Sequence, residues 1–140
     1  MKTKIFAAFP ETGKTYATRM HHTKVKELNS RYYYFTEDHE YFFNEKYTRD
    51  LVEMMGLYDI ILVDTSLNII STLVKEKFDF KVILPDEELI KELMIDHNEY
   101  EKQLMIKHLT QLEEVIKPEN KIYLHRGESV NIYLEKHDLV

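Results

Sequence analysis

The residues of this chain best suited to chemistry stand near its start, in Ala8-Phe9-Pro10-Glu11-Thr12-Gly13-Lys14-Thr15. A glycine, a lysine and a hydroxyl follow one another there, behind the short apolar run Lys4-Ile5-Phe6-Ala7-Ala8. That order suits a phosphate chain. A tight turn offers backbone N–H groups to phosphate oxygens. A lysine then neutralises the β- and γ-phosphates, and a hydroxyl holds Mg²⁺. The stretch from Pro10 through Glu11, Thr12, Gly13, Lys14 and Thr15 to Tyr16 is therefore the candidate cradle for ATP or another nucleoside triphosphate. Ala8 takes the place where such a loop usually has its first glycine. A chance Gly-Lys-Thr at a surface turn is the competing explanation. The chemical reading is favoured by context, an apolar strand before the loop and a helical pattern after it.

Asp64 is the natural companion of Lys14. It ends the run Asp59-Ile60-Ile61-Leu62-Val63-Asp64, where a carboxylate would orient Mg²⁺ or its water shell together with Thr15. An acid would equally serve there as the polar end of a buried strand, or as the cap of the next helix. The aromatic stretches Tyr32-Tyr33-Tyr34-Phe35 and Tyr41-Phe42-Phe43 would stack a nucleobase or, more ordinarily, fill a strand and the core. The histidines do not suggest a metal centre: His21 and His22 are adjacent and cannot share a helical face, and His97 and His108 lie turns apart. No serine stands in a Gly-x-Ser-x-Gly elbow, so the hydrolase type of nucleophile is unsupported.

The rest of the chain must supply a scaffold for that loop. Its 140 residues suit one domain with a single core, residues 1–140. A net charge of −6 without a basic run argues against a nucleic-acid duplex as partner. No apolar run is long enough to span a membrane. The absence of cysteine and of a cleavable leader before the first strand fits a cytoplasmic protein.

Strand-like and helix-like segments alternate along the sequence. Strands are expected at residues 4–8, 32–35, 59–64, 80–84 and 121–124. Helices are expected at residues 14–28, at Tyr47 to Met55 closed by Gly56, and from Thr65 or Ser66 to about Lys77. Another begins after Asp86 and continues to Ile116, with a break near His97-Asn98. Its acidic, amphipathic surface is read as two helices packing on the sheet, and its apolar spacing would also serve a partner helix. Residues 129–136 read as a short helix or a strand. Such alternation predicts an α/β fold around a mostly parallel sheet.

Lys4-Ile5-Phe6-Ala7-Ala8-Phe9-Pro10 followed by Gly13-Lys14-Thr15 resembles the opening of small P-loop nucleotide-kinase-like proteins carried by bacteriophages. Tyr58 to Val63, and Phe80 to Asp86 leading into a helix, are similar to later parts of that pattern, so the resemblance runs from Lys4 to about Leu124. It implies a three-layer P-loop domain with a five-stranded sheet in the order 2-3-1-4-5. It also implies phosphoryl transfer from ATP–Mg²⁺ to a (deoxy)nucleoside or nucleoside monophosphate, in the host cytoplasm if the chain is phage-encoded. By the same resemblance, Arg126 lies where such kinases contact adenine, Arg49 could face an acceptor phosphate, and Asp38 keeps one acid of an Asp-x-Asp that follows the second strand. The chain departs from the pattern in three ways. Glu11 replaces a usual glycine, putting a carboxylate where a phosphate would approach. No arginine lies between Asp86 and Pro118, where a lid normally supplies them to the transferring phosphoryl group. The Asp-x-Asp is reduced to Asp38. The alternative expectation is a catalytically degenerate P-loop protein that binds a nucleotide or a host protein without turnover.

Overall fold

The computed structural model describes residues 2–140; Met1 and the side chain of Tyr41, the latter part of the second aromatic stretch, lie outside what it describes. A five-stranded parallel sheet forms the centre of the molecule. It contains β1 (Lys4–Ala8), β2 (Val25–Leu28), β5 (Ile60–Asp64), β6 (Phe80–Pro85) and β7 (Lys121–Leu124), in the order β2-β5-β1-β6-β7. Between β2 and β5 in the sequence lies a separate antiparallel pair, β3 (Tyr34–Glu37) and β4 (Glu40–Phe43). With that hairpin set aside, the sheet strands follow the order 2-3-1-4-5.

The helices are α1 (Lys14–Met20), α2 (Lys46–Met55), α3 (Leu67–Lys75), α4 (Glu87–Leu93), α5 (Glu99–Val115) and α6 (Val130–Lys136). Strand side chains alternate between two apolar layers. Ile5, Ala7, Ile61, Val63, Val82 and Leu84 join Leu51 of α2, Leu73 of α3 and Leu112 of α5 in one buried cluster. Phe6, Ala8, Ile60, Leu62 and Ile83 join Ala17 of α1 and Leu134 of α6 in the other. Because both faces are covered, the central strands read as continuous apolar runs rather than as alternating ones.

Local caps agree with the sequence where a polar side chain precedes a helix. Ser66, Asp86 and Ser129 accept hydrogen bonds from Ile69 N, Leu89 N and Ile132 N. Asn98 starts α5 in a reciprocal capping box with Glu101, which is why the acidic helical region breaks there.

Two expectations need correction. The first helix does not reach Leu28: it stops at Met20, a turn follows, and Val25–Leu28 forms β2, in register with Ile60–Val63. Lys26, Glu27 and Leu28 favour helices locally, and pairing with the edge of β5 overrides that preference. Residues 32–35 are accordingly not the second sheet strand. A 3-10 turn spans Ser30–Tyr33, and Tyr34 onward enters the hairpin, whose two strands close through Asp38-His39. The residues that follow the second sheet strand are thus Asn29 and Ser30, and Asp38 belongs to the hairpin turn.

Candidate phosphate-binding site

The loop that leaves β1 emerges at the centre of the sheet. Ala8 lies beside Asp64 of β5 on one side and Ile83 of β6 on the other. Strand connectivity reverses around β1, and the crevice beyond the carboxyl ends of the strands at such a point is where open α/β sheets receive ligands.

Three contacts fix the course of the loop. Phe9 N donates to Ile83 O at 2.9 Å. The buried Thr12 folds its hydroxyl back onto Phe9 O at 2.6 Å, and its carbonyl accepts from Val130 N at 2.9 Å. Between these anchors the backbone turns left-handed twice, at Glu11 (φ 65) and at Gly13 (φ 99). At Gly13 conformation is the constraint rather than space, since an added Cβ would stand 3.6 Å from the nearest atom, Ser129 Cβ. At Glu11 a side chain is carried in a geometry that glycine would adopt without strain.

Loop amides remain available here, and those of Lys14, Thr15 and Tyr16 form the open first turn of α1. Among the described residues, no backbone N–H from Glu11 to Tyr16 donates to a protein acceptor; the next, Ala17 N, bonds Gly13 O at 3.1 Å. Successive N–H groups in a turn with left-handed residues form an anion-binding concavity. Lys14 is half-buried beside them, and its Nζ has no ion pair or hydrogen bond among the described residues. The loop's own acid does not plug the concavity, because both Glu11 carboxylate oxygens lie against His97 Nε2, at 2.9 and 2.8 Å. Pro10 and Tyr16 are exposed.

The two residues expected to manage a metal ion have different partners. Thr15 Oγ1 donates to Glu27 Oε1, 3.2 Å away at the end of β2. Asp64 accepts from Ser30 N at 2.8 Å and from Ser30 Oγ at 2.6 Å, so it pins the chain just beyond β2. Oxygen donors of this kind suit a hard cation. Among the described residues no group of three or more His, Cys, Asp or Glu side chains converges on one point.

A cavity of about 430 Å³ opens beside Thr15 and Glu27. Asn29, Arg31, Tyr32 and Tyr33 also line it. The Arg31 guanidinium stands 4.8 Å from the centre of the Tyr32 ring and donates to the Tyr32 hydroxyl at 2.8 Å. Tyr33 donates to Asp50 and packs edge-on against the buried Tyr47; partial burial and the Asp50 carboxylate push its hydroxyl up to about 12.

His108 of α5 covers the start of the loop. Its ring stacks on Phe9 at 5.5 Å, and its Nε2 is 2.9 Å from Thr65 Oγ1. Burial holds its pKa below the ordinary histidine value, with Asp64 opposing, so the ring is neutral near pH 7.

Three further sequence candidates have surroundings of their own. Arg126 follows β7 with its Nε donating to Glu92 of α4 at 3.0 Å. Asp38 lies exposed in the hairpin turn at φ 50, beside His39 at φ 65. Arg49 is exposed on α2. Glu27, Ser30, His97 and His108 were not picked out by motif. Each gains its place from a partner distant in sequence, and Glu27 was further hidden within an expected helix.

No family model matches this chain, and neither does any curated protein or solved structure.

Proposed function

We propose that the chain is a P-loop protein that binds a nucleoside triphosphate through the amides of residues 11–16 and the Lys14 ammonium. The observation that carries this reading is the run of N–H groups from Glu11 to Tyr16 that have no protein acceptor among the described residues, beside a half-buried lysine that has no anionic partner among them. A concavity of this kind binds an anion without the basic surface that the net charge of −6 denies the protein. The sheet order and the position of the loop at its switch point support the same assignment.

On this reading the chain is a (deoxy)nucleoside or nucleoside monophosphate kinase. Lys14 and the loop amides hold the β- and γ-phosphates. Thr15, with Glu27 next to it, presents oxygens to Mg²⁺, and Mg²⁺ when bound neutralises charge on the phosphates. Asp64 acts on the same region by fixing Ser30. The acceptor lies in the cavity bounded by Glu27, Asn29, Arg31 and Tyr32, next to the loop rather than at the hairpin tip.

A second reading, a binding module without turnover that engages a nucleotide or a host protein, draws on a specific observation. The helices α4 and α5 contain no arginine, and the nearby Arg126 is engaged by Glu92. Fixed positive forks are what phosphoryl transfer asks of a lid.

Thermal unfolding with and without ATP–Mg²⁺, followed by incubation of ATP with nucleosides and nucleoside monophosphates, separates the two. A ligand at roughly 100 times its Kd adds about 2.7 kcal/mol. Stabilisation with phosphorylated product is expected of the kinase. Stabilisation without product leaves the binding module, and no stabilisation removes the nucleotide.

A further inference from the structure

Glu11 stands in the phosphate-binding stretch, yet its carboxylate is held from outside it. His97, whose Nε2 meets both Glu11 oxygens, belongs to the connection between α4 and α5. The other ring nitrogen, Nδ1, lies 3.5 Å from Glu101 Oε1. Glu101 is itself fixed, since its side chain accepts from Asn98 N at 3.0 Å within the capping box of α5. The ring thus bridges one acid from the loop and one from α5. Among the described residues, no charged side chain of α4 comes within ion-pair distance of it.

A ring placed between two carboxylates is stabilised as the imidazolium. The hydrogen bond to Glu11 is the largest cause raising the His97 pKa above its ordinary value, and Glu101 adds to it. In that form His97 cancels the Glu11 charge. Without it, a phosphate approaching the amides of residues 11–16 would meet an uncompensated carboxylate on the same loop, and like charges at that range repel.

We propose that His97 is a positioning residue for the phosphate loop, holding the Glu11 carboxylate against the α4–α5 connection so that an anion can settle on the loop amides. The idea rests on the nucleotide-binding reading and adds a dependence that the loop motif alone does not carry. The loop's anion affinity is coupled to the protonation of a side chain 86 residues away in sequence. The sign follows from the charges. Below the His97 pKa the acid is neutralised and binding is strong; as pH rises through it, the acid is released and binding weakens.

The test is calorimetric titration of ADP, without added metal, into wild type, Glu11→Gln, His97→Asn and the double variant. Each is measured at about pH 6 and about pH 8.5, on either side of the histidine range. Titration of the ADP phosphate is common to all the proteins and cancels in the comparison. Wild type is expected to lose affinity between the two conditions by roughly tenfold more than Glu11→Gln does. His97→Asn is expected to bind weakly at both, and Glu11→Gln added to it should restore affinity. Circular dichroism at each pH confirms that the variants are folded, and a merely structural role for His97 would leave the pH difference in place. ADP binding with one pH profile shared by all the proteins, or losses that simply add in the double variant, overturns the role of His97 alone. If ADP binds to none of them at either pH, the nucleotide reading falls and this inference with it.

Discussion

The hairpin tip and the loop after β1 both put non-glycine residues into left-handed backbone, as Lys77 and Asp138 also do, and these two regions do so for different reasons. At the hairpin tip Asp38 and His39 have φ of 50 and 65, and each of their neighbours, Glu37 and Glu40, pairs across the turn. A tight hairpin connection of that kind needs positive φ at both central residues to match the twist of its strands, and Asp tolerates the conformation. The turn is reason enough for an aspartate at position 38. At the loop after β1, proposed to bind phosphate, Glu11 has φ 65 with no hairpin to require it. There the left-handed residue precedes amides that have no protein acceptor among the described residues, those of Lys14, Thr15 and Tyr16 being the open first turn of α1, and its carboxylate meets His97. One device shapes a turn; at the loop it precedes open donors.

The largest effect that distinguishes these regions is expected from Lys14→Ala. It should abolish stabilisation by ATP–Mg²⁺, about 2.7 kcal/mol at roughly 100 times the wild-type Kd, while leaving the unliganded melting temperature close to wild type. An unchanged ligand shift in differential scanning calorimetry would remove Lys14 from the site. Asp38→Ala should leave that ligand shift intact.

Asp64→Ala should act on the protein before any ligand is added. Ser30 is buried at 4% exposure, and both its N–H and its hydroxyl would lose their acceptor. A cost of about 1–3 kcal/mol in urea unfolding is expected. A variant as stable as wild type would show that the Ser30 clamp contributes nothing.

Glycine substitutions sharpen the contrast. His39→Gly should stabilise the protein by about 1 kcal/mol, by relieving a left-handed residue, and should not alter nucleotide binding. Glu11→Gly should give a similar or smaller gain in denaturant midpoint, because the His97 contact is lost, but it should change the pH dependence of ADP binding. Equal ligand profiles for the two variants would erase the distinction between turn and loop.

The smallest effect concerns acid. Asp86 caps α4, accepting from Leu89 N at 2.9 Å, and lies 2.7 Å from His125 Nδ1. The His125 contact is the main cause holding the Asp86 carboxyl below its ordinary value. A depressed carboxylate contributes stability that is present above its unfolded pKa, near 3.8, and is lost as pH falls through the lower folded value. Asp86→Asn should therefore lose less stability than wild type between neutral and strongly acidic urea titrations. Identical losses would dismiss the pair.

The sequence was most legible where one interaction decides the structure. β1, β5 and β6 are buried on both faces and announce themselves as apolar runs, and Ser66 and Asp86 mark helix starts through their own side chains. The break before Asn98 was readable as well, because the capping box is local. β2 was hidden, because Lys26, Glu27 and Leu28 favour helix and only the edge of β5 makes them a strand. The turn after β1 was readable as a strand-to-helix connection, but the contacts around it were not. Glu27 reaches Thr15, Ser30 reaches Asp64, and His97 reaches Glu11 only after the sheet has brought distant segments to one end.

The most direct measurement is an amide nuclear magnetic resonance titration of the protein with ADP, following residues 11–16 and 36–40 in the same spectra. The expected result is a saturable shift of the loop amides, Glu11 to Tyr16, with the hairpin amides of Thr36 to Glu40 unmoved. Loop resonances that stay in place at ADP concentrations where other residues shift, or loop and hairpin moving alike, would contradict the assignment of the loop as the phosphate-binding element.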